Sequence, residues 1–198
     1  MRGSSGERVS TDERPDGASP PTPAAVPADA DPPVTVEVYP GREAVVEFDP
    51  SLTFDCVDGC TWCCHHGVLL YGPDLHELAE RADLSASTTE VRGERFTRRE
   101  PKAHDHAAAG GAACHFLDGD GRCSLHAADD WKPARCSVFP LSVRREAPDA
   151  PLRVDVREAA TDHCDGLDVS ERRLVANLAA FLPAVLWELP DPDTRREL

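Results

Sequence analysis

Eight cysteines constrain this chain more than anything else in it: Cys56, Cys60, Cys63 and Cys64 fall within nine residues, and Cys114, Cys123, Cys136 and Cys164 follow at wide intervals. Reduced thiols in such number favour a metal or cluster over disulfides, because thiolate is the preferred ligand of zinc and of iron-sulfur centres. The argument depends on the compartment. The opening residues carry charge but no apolar stretch like that of a secretory signal, and the longest apolar run, Leu178 to Trp187, is broken by Pro183 and too short to span a bilayer. A soluble, cytoplasmic protein is therefore expected. A disulfide scaffold is the alternative if the chain meets an oxidising environment.

Charge narrows the partners. The formal net charge is −15, and only Lys102 and Lys132 are lysines among 21 basic residues. This balance resembles the acidic, arginine-preferring chains of salt-loving archaea, in which salt screens self-repulsion and carboxylates keep the surface hydrated. It is a poor match for nucleic-acid phosphates or anionic lipid, so neither nucleic acid nor membrane is expected as a partner. A protein partner is expected instead.

Residues 1–33 read as a disordered, acidic, proline-rich tail: seven prolines lie among small polar residues with little to bury. Residues 34–198 then form one cysteine-cluster domain with its motif core at 54–166. Val34 to Val38 and Ala44 to Phe48 predict a hairpin across Pro40 and Gly41, and Val68 to Tyr71 another strand. Pro73 suits the first turn of a helix presenting Leu75, Leu78, Ala79 and Ala82. Residues 85–113 show no periodicity and read as a long mobile insertion. Cys114 and Cys123 should sit on two arms of a hairpin turned by Asp118, Gly119, Asp120 and Gly121. Ser137 to Val143 and Leu152 to Val156 predict paired strands, and Ser170 a cap for a closing helix kinked at Pro183. The fold class expected is α+β: a small metal-stapled domain with short antiparallel strands and a few helices.

The residues carry a resemblance. Cys56, Cys60, Thr61, Trp62, Cys63 and Cys64, then Cys114 to Leu117, Cys123 to His126, Lys132 to Pro140 and a late Cys164 resemble, in order and spacing, the YkgJ-like cysteine-cluster family, described as a zinc- or iron-chelating domain. The first gap is three residues where the family often has two. Lys132 stands where Arg precedes the proline, and Ser137 where Arg follows the cysteine. None of these departures removes a thiol.

The ligand pool is thus Cys56, Cys60, Cys63, Cys64, Cys114, Cys123, Cys136 and Cys164, for zinc or an iron-sulfur cluster. Were residues 56–64 helical, Cys56, Cys60 and Cys63 would share a face and Cys64 would lie about 100° further round. Two sulfurs on one tetrahedral zinc stand about 3.8 Å apart, a spacing that adjacent residues seldom reach. Cys63 and Cys64 are therefore expected to serve different centres, or one to be spare or redox-active. His65, His66, His115 and His126 are candidate substitutes for a thiolate, with hydrogen bonding to turn backbone or carboxylates as the plainer reading, and His104 and His106 read as loop surface. Cys56, Cys60 and Cys63 also have the spacing of radical-SAM enzymes, but the chain lacks the repeated strand-helix units of their barrel. A zinc-held interaction module and an iron-sulfur redox protein or cluster-dependent enzyme remain as the two functional classes. No hydrolase elbow, P-loop or dinucleotide fingerprint is present.

Overall fold

The computed structural model describes residues 21–57, 59–102 and 111–193. Strand β1 (Val34–Tyr39) turns through Gly41, at φ +70°, into β2 (Arg42–Val46), the antiparallel hairpin that the alternating valines predict. Numbering the remaining strands along the chain, β3 is Thr88–Val91, β4 Glu94–Thr97, β5 Arg99–Pro101, β6 Ala112–Cys114, β7 Leu141–Arg144 and β8 Leu152–Val156. The main sheet has the order β1-β2-β8-β7. Pairing of β7 with β8 is antiparallel, as expected, but β8 joins β2 in parallel, so the sheet is mixed.

Alternation decides which face is covered. Val36, Ala44, Val46, Leu141, Val143, Leu152 and Val154 are all buried beneath the C-terminal segment, which contributes Leu174, Val175, Leu178, Leu182, Leu186 and Trp187. Polar partners occupy other positions: Glu47 pairs with both Arg144 and Arg153. The closing segment is not one kinked helix capped by Ser170. It is a 3₁₀ turn at Val175–Asn177, a four-residue helix at Leu178–Phe181 and a 3₁₀ turn at Ala184–Trp187, with Pro183 between the last two. Short pieces let the chain follow the twisted sheet while keeping its leucines inward.

The expected tail splits. Residues 1–20 lie outside the described residues, whereas residues 21–33 pack on the domain. Val26 is only 1 % exposed within the main core and its carbonyl accepts a bond from Arg173 Nη2 at 3.0 Å. The packed body therefore begins before Val34.

The segment read as a mobile insertion contains regular structure where it is described. A short helix at Leu84–Ser87, N-capped by Asp83, leads into the β3–β4 hairpin, and β5 pairs with β6. Strands of three or four residues with polar outer faces leave no periodic trace in sequence. His104 and His106 lie outside the described residues. Val68 to Tyr71 forms only a single bridge, Leu69 to Phe96, before helix α1 (Gly72–Ala79). A second, smaller core gathers Leu70, Leu78, Phe116 and Leu125, with Cys114 and Cys123 packed against it.

Candidate metal centre

Each thiol is placed by a separate local device. Thr53 and Phe54 bridge to Arg173 and Leu167, and the Asp55 N–H donates to the Gly166 carbonyl at 3.0 Å, so Cys56 and Cys164 leave the same pair of crossing strands. Only glycine fits at 166. A Cβ there would stand 2.1 Å from the Asp55 carbonyl oxygen.

Residues 56–64 are not helical throughout. Gly59 sits at φ +83°, the Cys60 N–H donates to Val57, and only Trp62–His65 forms a 3₁₀ turn, closed by Cys64 N–H to Thr61 at 2.8 Å. In that turn the Cys63 and Cys64 sulfurs stand 4.0 Å apart. The expectation that adjacent thiols would miss chelating distance is therefore corrected: the two sulfurs stand within a few tenths of an ångström of the spacing on a single zinc ion.

Asp118 organises the next pair. Its carboxylate accepts from the Asp120 and Arg122 backbones at 3.0 and 2.9 Å, turning the chain so that Leu117 bridges Cys123 and the Ser124 N–H reaches the Phe116 carbonyl. Cys114 ends β6 and Cys123 caps the short helix Ser124–Asp129. Cys136 lies on a helix at Ala134–Val138 where a strand was expected to begin. That helix is pinned by buried Asp74, which accepts from the Ala134 N–H at 2.8 Å and from the Tyr71 N–H at 3.0 Å.

Seven of the eight cysteines line one cavity of about 490 Å³; Cys164 stands outside that lining, within electrostatic reach of Cys60 and Cys63. Trp62, Val68, Phe116, Leu117 and Phe139 give the wall its apolar part. Among the described residues, Arg122, Lys132, Arg135 and Arg157 also line it, against a single acid, Asp130.

Burial raises several of the thiols above their ordinary value. It pushes Cys56 and Cys114 up, Cys136 well up and Cys164 to about 11. Cys63 moves the other way, held down by the hydrogen bond from the Cys64 thiol, while Cys64 is raised by sharing it. Neutral thiols can be buried at small cost. They become anionic when a cation supplies the charge that solvent does not.

The histidines divide. His66 and His126 line the cavity, with burial holding each below its ordinary value and hence neutral, as a ligand must be. His126 Nδ1 stands 3.0 Å from Asp130, and His66 packs on Trp62 at 4.7 Å between centroids. His65 is engaged with Thr61 at 3.3 Å and His115 with Glu100 at 3.1 Å. Sequence reasoning missed Arg157 and His163. The latter stacks on Trp62 at 5.1 Å, and neither has a motif that would mark it.

Among the described residues, no three His, Cys, Asp or Glu side chains are already gathered as a ready-made ion site, so the thiols surround a volume and not a point. In kind, the donors suit a thiolate centre. A four-thiolate zinc carries a net charge of about −2, and the cationic wall offsets such charge in a low-dielectric surround.

Fold and site together define a small α+β domain whose chemistry-bearing feature is a half-buried, thiol-lined cavity. The chain belongs to the CxxCxxCC family, described as "Putative zinc- or iron-chelating domain", whose model matches residues 55–165 and so takes in every cysteine. No curated protein and no solved structure matches the chain. The family description names zinc or iron without choosing between them.

Proposed function

We propose that this chain is a cytoplasmic metal-binding protein in which Cys56, Cys60, Cys63, Cys64, Cys114, Cys123, Cys136 and Cys164 coordinate zinc or an iron-sulfur cluster. The observation that carries this reading is convergence: free thiols separated by up to 108 positions (164 − 56) line one cavity or stand within electrostatic reach of its lining. Within the CxxCxxCC family the order of motifs favours the YkgJ-like group. The acidic surface favours a salt-rich interior and a protein partner over nucleic acid or membrane. No helix among the described residues is long and apolar enough to cross a membrane.

In the primary reading the metal is zinc and its role is to hold the domain together for a partner. The donor set favours it, since free cysteines in multiples of four close structural tetrahedral zinc sites. A second reading, an iron-sulfur redox protein or cluster-dependent enzyme, is favoured by the volume the thiols enclose and by the Trp62 and Phe139 wall, which would limit water near a cluster. Anaerobic purification separates them. A colourless protein with near-stoichiometric zinc supports the first reading, a brown one that bleaches under dithionite supports the second, and a metal-free reduced protein contradicts both.

A further inference from the structure

The eight thiols are not evenly distributed around their cavity. Cys56 and Cys164 issue from the crossing strands that carry Asp55 and Gly166, and Cys164 packs against the main core under the sheet. Cys114 and Cys123 lie against the second core with Leu70 and Phe116. The turn that carries Cys63 and Cys64 packs beside β6, the strand that ends at Cys114, and these two cysteines are the only adjacent pair in the chain.

Neighbour relations follow the same division. Cys56 and Cys164 each lie within electrostatic reach of both Cys60 and Cys63. On the other side Cys64 neighbours Cys114 and Cys136, and Cys136 neighbours Cys114 and Cys123. Cys63 and Cys64, 4.0 Å apart, join the two groups, and Cys63 is also within electrostatic reach of Cys136.

We propose that the thiols form two separate four-thiolate sites, Cys56, Cys60, Cys63 and Cys164 in one and Cys64, Cys114, Cys123 and Cys136 in the other, divided at the Cys63–Cys64 peptide bond. The proposal rests on the reading that these thiols hold metal and adds how they share it. Each site takes a divalent cation that prefers sulfur and tetrahedral geometry, or a cluster held by four cysteines. A split placing Cys63 and Cys64 on one ion is sterically open, but it leaves Cys56, Cys60 and Cys164 as a first site one ligand short. The sites have different structural duties. The first ties the strand before Cys56 and the residues after Cys164 to the main core. The second ties the second core to the helix that carries Cys136.

The test is a titration of the reduced, metal-free full-length chain with Co²⁺, whose visible spectrum reports the number of thiolates bound. Two ions per chain, both with four-thiolate spectra, are expected. Cys164→Ala and Cys123→Ala should each lower the end point from two to one while the remaining ion keeps its four-thiolate spectrum, and the double variant should bind none tightly. Amide hydrogen exchange provides a second readout, with Cys164→Ala loosening residues around Asp55 and Gly166 and leaving the core around Leu78 and Phe116 protected. A wild-type end point of one ion overturns the two-site proposal and leaves the metal-binding reading standing. The proposal is also overturned if both ions survive Cys164→Ala, and an absence of Co²⁺ binding overturns both readings.

Discussion

At the scale of single residues, the thiols are held in a state ready to exchange protons for metal. The folded-state value of Cys164 is about 11 against an ordinary 9.0, because burial disfavours its anion. Its neutral form therefore contributes to the metal-free fold fully below pH 9, and that contribution is lost as pH rises through about 11. Metal binding runs the other way, since the ion requires thiolate. Zinc added to the metal-free chain near neutral pH should release roughly three to four protons per four-thiolate ion, read by a pH indicator in weak buffer, and affinity should rise with pH; uptake without proton release contradicts the assignment. Asp74 acts on the site at second hand. Replacing it with Ala leaves the buried Ala134 N–H without its acceptor, at about 1–3 kcal/mol, and removes the acceptor of the half-buried Tyr71 N–H as well. Removing a carboxyl whose charged form is disfavoured by burial offsets part of that. A net loss of about 1–3 kcal/mol in denaturant unfolding is expected, with Asp74→Asn milder because it keeps one acceptor. The cysteines were legible because residue type and spacing announce them. Arg157 and His163 were not, since Arg157 reaches the cavity and His163 the Trp62 ring only through folding, and nothing beside them in sequence marks the approach.

At the scale of elements, what was legible were the local rules. Alternating valines gave the β1–β2 hairpin, and Pro73 placed the start of α1. Pairings that join distant segments left no local mark: the parallel union of β2 with β8 brings together residues 44–46 and 152–154, and the strands from 88 to 101 are too short to show a period. The crossing of Asp55 and Gly166 belongs to the same class, and it positions Cys56 and Cys164. Gly166→Ala would drive a Cβ to 2.1 Å from a backbone oxygen that has no flexible side chain to yield. Overpacking of this kind costs about 1–3 kcal/mol. The variant should unfold at lower denaturant concentration and bind metal more weakly, whereas Gly119→Ala, with open space around it, should leave both unchanged.

At the scale of the whole molecule, two forces oppose each other. A net charge of −15 pushes the chain apart, and a metal held by the proposed thiols would draw its two cores together. Raising salt from roughly 0.1 M to 1 M shortens the Debye length from about 10 Å to 3 Å, so the thermal midpoint of the loaded protein should climb by several degrees. A strong chelator should lower it in either salt. The most direct test of the central claim is native mass spectrometry of the anaerobically purified, full-length chain. The account predicts a mass above that of the reduced polypeptide by the bound zinc, or by iron and sulfide, and a return to the polypeptide mass after chelation. A mass below the reduced value by two hydrogens for every S–S bond, with no metal attached, would contradict it.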